Sequence, residues 1–415
     1  MPTRHAAPPD FPRQLSVEQA RELALALARE RRLSAEQVAT DDALGRYLAT
    51  DLVAPRDQPP FANSAMDGFA LRGNELPAAG ERSFRLAGTV LAGAGAPPGC
   101  QAGECLRITT GAPLPSGTDT VVIKENVRIE GDLVIIRAGE RAGANVRPAG
   151  EDWRQGEALL QSGEVLTPAR LAVLAACGAA SVLAARRPRV ALFVTGDELV
   201  PPGQALGPGQ IHDSNRYSLG GLLRSLGIAP VRVAHLRDDP DILRTALREA
   251  GSDCDVILSS GGVSAGEADF LPGLIAELGR VHFWKVRMKP GMPVLCGDIG
   301  QALVFALPGN PVSTIATFLA LVAPTLRALQ GARDPLPVRR ARLAVPVAKK
   351  HDRSEFPRVT LELREDGTCW ATPLAQQGSG MLRGAALADA LAIIPESARE
   401  LAAGTLVDVL PANHS

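Results

Sequence analysis

The spacing of hydrophobic positions predicts helices at both ends of the first 180 residues and a β-rich region between them. Residues 16–30 carry apolar side chains at helical spacing, with Ser16 and Gln19 placed as a capping box. A second helical stretch is predicted at residues 35–48. Residues 54–148 are dense in glycine and proline with short β-type runs such as 105–108 and 121–129. A turn at 130–132 predicts a hairpin of 121–129 with 133–137. The helical pattern resumes at residues 168–177.

Strand and helix patterns alternate after residue 187, which predicts a mostly parallel sheet covered on both faces. The predicted strands are 190–194, 231–236, 256–258 and 281–288, followed by a hairpin of 294–296 with 303–306. The predicted helices are 215–226, 241–249, 268–278 and 311–329. Residues after 334 are β-rich again, with a hairpin of 359–364 and 368–372.

These patterns predict a multidomain α/β plus β protein. A central doubly wound, mostly parallel α/β domain is expected at residues 187–331. A helical N-terminal linker domain is expected from residues 1–55 and 147–186, interrupted by a small inserted β-rich domain at 56–146. Residues 332–415 are expected to form a C-terminal β-barrel-like domain.

Composition argues against several classes of partner. The formal net charge is −1 and aromatic residues make up 4%, so neither nucleic acid nor an anionic membrane is an expected partner. No apolar run is expected to approach the roughly 20 residues that span a bilayer, and residues 1–14 lack the apolar stretch of a signal peptide. Six scattered cysteines without a C-x-x-C spacing fit neither a disulfide framework nor a zinc site. We therefore expect a cytoplasmic protein.

Polar loops follow each predicted strand of the α/β domain, at the sheet edge where ligands of open parallel sheets bind. Each such loop alone is typical of an ordinary turn or helix cap, but five at one edge indicate a site. The loops are Thr195-Gly196-Asp197-Glu198, Arg237-Asp238-Asp239, Ser259-Ser260-Gly261-Gly262-Val263-Ser264, Lys289-Pro290-Gly291 and Pro308-Gly309-Asn310-Pro311-Val312-Ser313.

The loop residues suit an anionic, phosphate-containing ligand with a metal ion. Small residues and glycines at 259–264 let a phosphate approach the backbone. The acids Asp197, Glu198, Asp238 and Asp239 are hard oxygen ligands of the kind that Mg²⁺ prefers. Helix capping is the alternative for both pairs, and for Asp239, which precedes Pro240, both interpretations remain open.

Two further features point to an anion. Strict alternation along the fourth strand would place Lys285, Arg287 and Lys289 on one face, although a solvated face is the alternative. Asn310 and Pro311 are suited to begin the long helix, where unpaired N–H groups beside Ser313 would favour an oxyanion. Cations, oxyanion donors and metal-holding acids together fit the cleavage of a phosphoanhydride.

Seven collinear motifs then resemble those of the molybdopterin molybdenumtransferases, the family that includes bacterial MoeA and the E domain of gephyrin. The run Pro60-Phe61-Ala62-Asn63-Ser64-Ala65-Met66-Asp67-Gly68-Phe69-Ala70 carries the resemblance most clearly. The other motifs lie at residues 107–113, 147–152, 195–198, 260–269, 289–291 and 308–311.

The resemblance implies a reaction in which adenylyl-molybdopterin and molybdate give molybdenum cofactor and AMP, with Mg²⁺. It also implies four domains per subunit and an elongated homodimer. Each site would lie between the α/β domain of one subunit and the inserted domain of the other. A transient contact with the adenylyltransferase of the preceding step is a further expectation.

The chemistry of the loops and the resemblance together give three groups of candidate site residues. The catalytic group is Asp269, Glu198, Asp238, Lys285 and Lys289. The metal ligands would come from Asp238, Asp239 and Asp197. The substrate-binding group is Asn63, Ser64, Asp67, Thr110, Asp152, Ser260, Gly261, Gly262, Ser264, Pro290, Ser313, Arg358 and Ser379, with molybdate near Lys289, Pro290, Ser313, Arg358 and Ser379.

The chain departs from the family pattern at two positions. Ala62 stands where the family usually has an acid, so the acid is either dispensable or replaced by a neighbour such as Asp67. Met292 stands where the family often has the second lysine of Lys-Pro-Gly-Lys-Pro. This departure removes one cation from the expected anion site and puts more weight on Lys289 and Arg287.

Two other functions are compatible with parts of the sequence. A molybdopterin adenylyltransferase uses a similar α/β domain alone, but the flanking β domains and the motif at residues 63–67 argue against it. A non-enzymatic scaffold related to gephyrin would need an added partner-binding feature, and nothing in the sequence marks one.

Overall fold

The computed structural model describes residues 12–93, 95–263 and 270–412. These residues form two compact units. The first comprises the described parts of Met1–Thr50, Ser162–Leu171 and Ala180–Ser415, and the second comprises Asp51–Gln161 and Ala172–Ala179.

The second unit is built on a six-stranded sheet. Its strands lie side by side in the order Thr120–Ile123, Gly68–Leu71, Glu104–Ile108, Glu81–Val90, Leu133–Arg137 and Val127–Glu130. Neighbours are antiparallel except for Glu81–Val90 with Glu104–Ile108. Successive residues such as Phe69 and Ala70 belong to different apolar clusters, so both faces of the sheet are covered. The predicted hairpin is confirmed, because Val127–Glu130 pairs with Leu133–Arg137.

The α/β core of the first unit is a seven-stranded sheet. The spatial order of its strands is Arg13–Leu15, Arg280–Val286, Leu295–Ile299, Ala302–Leu307, Val256–Ser260, Val190–Thr195 and Arg232–Leu236. Only Leu295–Ile299 runs antiparallel to its neighbours, so the predicted mostly parallel sheet is confirmed.

Helices cover both faces of this sheet, as the continuous apolar strands require. Val17–Glu30, Asn215–Ser225 and the helix that begins at Pro311 pack on one face, where residues such as Leu192 and Phe305 point. Pro240–Asp253 and Leu271–Leu278 pack on the other face, against residues such as Phe193 and Val304. The first helix begins with the predicted capping box, since Ser16 and Gln19 exchange hydrogen bonds of 3.0 and 3.1 Å.

The longest helix consists of an α-helical segment Pro311–Thr317, a π-helical turn Phe318–Val322 and a second α-helical segment Ala323–Leu329. Its 19 residues are long and apolar enough to span a bilayer by length and composition. However, 89% of the most apolar stretch is buried inside the protein, so packing in the core accounts for its composition.

The C-terminal region closes into a five-stranded barrel, which confirms the barrel-like prediction. Its strands are Arg339–Leu343, Cys369–Pro373, Arg358–Leu363, Ala390–Ala392 and Leu406–Pro411. The interior is lined by buried apolar residues, among them Leu343, Val359, Ala371 and Val409.

The predicted helix at residues 35–48 is wrong. Ala35–Ala39 is a strand that pairs antiparallel with Ser181–Ala185, and a 3₁₀ turn at Thr40–Asp42 follows it. The partner strand is more than 140 residues away in the sequence, so tertiary pairing overrides the local helical pattern.

Shorter elements complete the fold. The remaining helices are Pro168–Ala176 and Leu382–Ala386, with 3₁₀ turns at Gly73–Glu75 and Lys124–Asn126. The remaining strand pairs are Leu52–Val53 with Ala158–Leu160, Asn63–Ser64 with Val146–Arg147, Leu199–Val200 with Ile211–His212, Met288–Lys289 with Ser354–Glu355, and Val347–Ala348 with Glu400–Leu401.

Candidate functional site

A cavity of about 630 Å³ opens at the carboxyl edge of the seven-stranded sheet. We call it the edge cavity. The loops after four parallel strands contribute to its wall, as expected for an open α/β sheet. The lining residues include Thr195, Gly196, Glu198, Asp213, Asn215, Asp238, Ser260, Gly261, Gly262, Pro293, Pro308, Gly309, Asn310 and Gly380.

Asn215 holds three of these loops together. Its Nδ2 donates to Ser260 Oγ at 2.8 Å and to the carbonyl oxygen of Gly309 at 2.7 Å. Ser260 Oγ in turn donates to the carbonyl oxygen of Pro308 at 3.2 Å. No sequence motif marks Asn215 as a site residue. The available signal was the polar run of residues 213–215 before a predicted helix, which also resembles an ordinary cap.

Glycines are required where the loops approach one another. Gly261 has a φ of +99°, and a Cβ there would lie 2.6 Å from the carbonyl oxygen of Thr195. Gly196 has a φ of +141°, and a Cβ there would lie 2.5 Å from a carboxylate oxygen of Glu198. Side chains are therefore excluded at both turns, and the backbone of the glycine loop stays accessible at the cavity wall.

The acids of this edge have different roles. Glu198 and Asp238 both line the edge cavity. Asp197 Oδ1 accepts the amide of Asp238 at 3.4 Å and lies 3.7 Å from Arg237 Nε. Asp239 Oδ1 accepts the amides of residues 241 and 242 at 2.8 and 3.1 Å, so this oxygen caps the helix Pro240–Asp253. The cap interpretation of Asp239 is favoured over the metal interpretation.

The acids of the cavity also fit the way in which proteins hold Mg²⁺. In the part of the chain that the structure describes, no three His, Cys, Asp or Glu side chains converge to hold a metal. Mg²⁺ is commonly held by one or two carboxylates together with substrate phosphates and water. Glu198 and Asp238 fit that arrangement better than Asp197 or Asp239.

The strict alternation predicted along the fourth strand is wrong, since Val281 and Phe283 belong to different apolar clusters. A register shift follows Val281, and Lys285 has a φ of +63°, so strict alternation fails. The three cations instead have separate partners. Lys285 Nζ lies 4.8 Å from the ring centroid of Trp284. Arg287 Nη2 lies 2.6 Å from Glu396 Oε2, and Lys289 Nζ lies 2.9 Å from Glu355 Oε1.

The residues expected around molybdate lie on segments that contact one another. The carbonyl oxygen of Lys289, before Pro290, accepts the amide of Phe356 at 2.8 Å, two residues before Arg358. Arg358 is buried, which lowers the pKa of its guanidinium, and its Nε donates to the carbonyl oxygen of Gln376 at 3.1 Å.

Ser379 completes this chain of contacts at the start of the long helix. Its carbonyl oxygen accepts the amide of Val312 at 3.1 Å, and its Oγ accepts from Asn310 Nδ2 at 3.2 Å. Ser313, next along the helix, is 4% exposed. The edge cavity reaches this region through Pro293, Asn310, Pro311 and Gly380.

Four of the expected residues in the second unit also lie together. Asp67 Oδ1 accepts from the amide of Thr110 at 2.9 Å and from its hydroxyl at 3.0 Å. The bond from the amide of Thr110 is the main cause that lowers the pKa of Asp67, followed by the bond from its hydroxyl. The positive charge of Lys124 lowers this pKa further. The amide of Ser64 donates to the carbonyl oxygen of Ala112. The strand Asn63–Ser64 pairs antiparallel with Val146–Arg147. Asp152 has a different neighbour: its backbone amide donates to the carbonyl oxygen of Gln58 at 2.9 Å.

Ser264 and Asp269 lie outside the described residues, so their expected roles remain predictions. The structure also contains a larger cavity of about 720 Å³, lined by Tyr47, Arg170, Arg224 and Arg327 among others. Two helices begin at the edge cavity, and this larger cavity lies at their opposite ends, near Ser225 and Gln330. Burial raises the pKa of Tyr47 and lowers that of Arg327. The edge cavity is the better candidate site, because it carries the glycine turns and the two carboxylates.

Comparisons with known proteins cover nearly the whole chain. Three family descriptions match in order: "MoeA N-terminal region (domain I and II)" at residues 15–178, "Probable molybdopterin binding domain" at 191–328, and "MoeA C-terminal region (domain IV)" at 340–412. These ranges contain the edge cavity and the C-terminal barrel.

Individual relatives agree with the family descriptions. A molybdopterin molybdenumtransferase of Haemophilus influenzae is 34% identical over 382 residues, covering 91% of this chain and 94% of that protein. One of Synechococcus elongatus is 38% identical over 405 residues, covering 95% and 99%. The crystal structure of a molybdopterin biosynthesis MoeA protein from Pyrococcus horikoshii is similar with a TM-score of 0.78 and 32% identity, covering 97% of this chain and 100% of that one.

Proposed function

Because the chain belongs to the molybdopterin molybdenumtransferase family, we propose that it inserts molybdenum into molybdopterin. The substrates would be adenylyl-molybdopterin and molybdate, and the products would be molybdenum cofactor and AMP. The observation that carries the proposal is the edge cavity, where a glycine turn, Asn215 and two carboxylates meet at the carboxyl ends of parallel strands.

The residues of the edge cavity are suited to the adenylylated end of the pterin. The turn at Gly261 and Gly262 lets phosphate oxygens approach the backbone. Glu198 and Asp238 would hold Mg²⁺, which supplies charge neutralisation at the phosphoanhydride that is cleaved. Asn215 keeps the three loops in register through its two donated bonds.

We place molybdate at the other end of the same site, near Lys289, Pro290, Ser313, Arg358 and Ser379. The contacts that connect residues 289, 356, 312 and 379 support this placement. A cation facing a dianion contributes about 1.5–3 kcal/mol per charge-assisted contact. Lys285 is proposed as a further catalytic cation of the site.

We also propose a cytoplasmic homodimer that receives its pterin substrate through a transient contact with the preceding adenylyltransferase. In that dimer, Asp67, Thr110, Asn63, Ser64 and Asp152 of one subunit would complete the site on the α/β domain of the other. All six cysteines are free thiols, which fits a reducing compartment.

Asp238→Asn should lower the rate of molybdenum insertion roughly tenfold or more, because a charge-assisted contact to Mg²⁺ would be weakened. Purified protein would be given adenylyl-molybdopterin, molybdate and graded Mg²⁺. AMP release and reconstitution of a cofactor-free molybdoenzyme would be measured together, and the variant should need more Mg²⁺.

The matched control is Asp132→Asn, at an exposed turn of the second unit. A wild-type rate and Mg²⁺ response in Asp238→Asn would remove Asp238 from the site. Insertion without stoichiometric AMP release would refute the adenylylated substrate.

Mixed dimers test the shared site. Homodimers of Thr110→Trp should lose at least about tenfold in activity, because a large ring replaces a hydroxyl at an exposed loop bonded to Asp67. Mixing this variant with Asp238→Asn should restore part of the activity, since one of the two sites then contains neither substitution. The activity of the mixture would be followed during subunit exchange. A monomer in solution, or confirmed heterodimers that stay inactive, would contradict the shared-site proposal.

A further inference from the structure

The guanidinium of Arg353 lies beside Met292, the position at which the chain lacks the second lysine of the family motif. Arg353 Nη1 is 3.8 Å from Met292 Sδ. The Met292 side chain is 37% exposed, and the next residue, Pro293, lines the edge cavity. A cation from a distant part of the chain therefore lies beside the loop of residues 289–293.

The backbone around Arg353 is fixed against the loop that it faces. Ser354 donates its amide to the carbonyl oxygen of Arg287 at 3.0 Å, and Ser354–Glu355 pairs in parallel with Met288–Lys289. The carbonyl oxygen of Arg353 accepts from Lys349 Nζ at 2.8 Å, and its amide donates to His351 Nδ1 at 3.4 Å. Hydrogen bonds thus fix the backbone from which the Arg353 side chain extends.

Two neighbouring cations are compensated by acids, whereas Arg353 is not. Arg287 is paired with Glu396 and Lys289 with Glu355. Among residues 12–93, 95–263 and 270–412, Arg353 forms no ion pair with a carboxylate. Its positive charge is therefore available to an anion.

Electrostatics place Arg353 and Lys289 in one neighbourhood. Burial is the main cause that lowers the pKa of His351, and Glu355 opposes this effect. The positive charges of Lys289, Arg353 and Lys349 lower the pKa of His351 further. Arg353 and Lys289 therefore act on the same imidazole, close to the loop of residues 289–293.

We propose that Arg353 binds the tetrahedral oxyanion substrate, and that it supplies the cation that Met292 does not. A guanidinium presents paired N–H donors that match two oxygens of a tetrahedral dianion such as molybdate. The neutral thioether of Met292 supports the guanidinium without competing for the anion. This inference rests on the proposed function, because the oxyanion is taken to be molybdate.

Arg353→Ala should raise the molybdate concentration needed for half-maximal insertion roughly tenfold or more, the effect of one charge-assisted contact. The maximal rate at saturating molybdate and the half-saturating concentration of adenylyl-molybdopterin should stay close to those of the wild type. Adding Met292→Lys to Arg353→Ala should recover most of the lost molybdate affinity, because a lysine would then extend from the loop itself.

Lys350→Ala is the matched control, since it removes an exposed cation three residues away. Arg353→Gln keeps most of the side chain and serves if the alanine variant unfolds in a thermal melt. An unchanged molybdate response in a folded Arg353 variant would overturn the proposal. So would an equal effect of Lys350→Ala, or a folded double variant without recovery. A wild-type protein that shows no molybdate-dependent insertion would instead refute the proposed function.

Discussion

Gly261→Ala should reduce molybdenum insertion by about a hundredfold or more while leaving the protein folded. Gly261 adopts a left-handed backbone conformation with a φ of +99°, which costs a residue with a Cβ about 1–2 kcal/mol. The new methyl group would also lie 2.6 Å from both the carbonyl oxygen and Oγ1 of Thr195. The carboxyl ends of two neighbouring strands would have to separate, and these strands position Glu198 and Ser260.

The measurement is the insertion rate at saturating substrates, with a thermal melt of the same sample. Gly221→Ala is the control, because Gly221 lies in the helix Asn215–Ser225 and a Cβ there meets nothing within 4 Å. Gly221→Ala should leave the insertion rate unchanged, and its free energy of unfolding should be unchanged or higher by up to about 1 kcal/mol. If Gly261→Ala kept the wild-type rate, the glycine turn would not belong to the site.

The parts of the fold and of the site that are local in sequence could be predicted. The capping box at Ser16 and the cap at Asp239 depend on residues three positions apart or fewer. The glycine turn at 261–262 follows a continuous apolar strand, and the parallel order of the strands brings such turns to one edge. Periodicity and turn chemistry were therefore sufficient to predict that these loops meet at one edge of the sheet.

The side chains that join distant segments could not be predicted from the sequence. Asn215 contacts residues 45 and 94 positions away, and Arg353 contacts Met292 across 61 positions. The periodicity of hydrophobic residues does not indicate which distant side chains contact one another. The alternation predicted along the fourth strand failed for a related reason, since a register shift and the left-handed backbone of Lys285 break it.

The two ends of the proposed site differ in how they are built. The edge cavity is formed by turns and carboxylates at the ends of parallel strands, and its shape depends on backbone conformation. The molybdate end that we propose lies where residues 287–293 contact residues 353–358, and its charge would depend on long side chains from both segments. Substitutions at the first end should therefore affect the maximal rate, whereas those at the second should affect the response to molybdate.

Asn215→Asp should lower the insertion rate by about a hundredfold or more, although the two side chains are nearly the same size. Asn215 is 9% exposed, and its Nδ2 donates to Ser260 Oγ and to the carbonyl oxygen of Gly309. A carboxylate has no N–H, so both bonds would be lost. The carbonyl oxygen of Gly309 would lose this donor at a cost of about 1–3 kcal/mol, whereas Ser260 Oγ would keep its bond to the carbonyl oxygen of Pro308. A negative charge would also face the phosphates of the substrate.

Three comparisons separate these causes. Asn74→Asp makes the same change at an exposed position and should leave the rate and the thermal melt unchanged. Asn215→Leu removes the donors without adding charge, so it should be less damaging to substrate binding than Asn215→Asp. The ratio of the Asn215→Asp rate to the wild-type rate should rise as the pH falls, because protonation of the introduced carboxyl removes its charge and restores one donor. A wild-type rate for Asn215→Asp at neutral pH would mean that the three loops hold their register without Asn215.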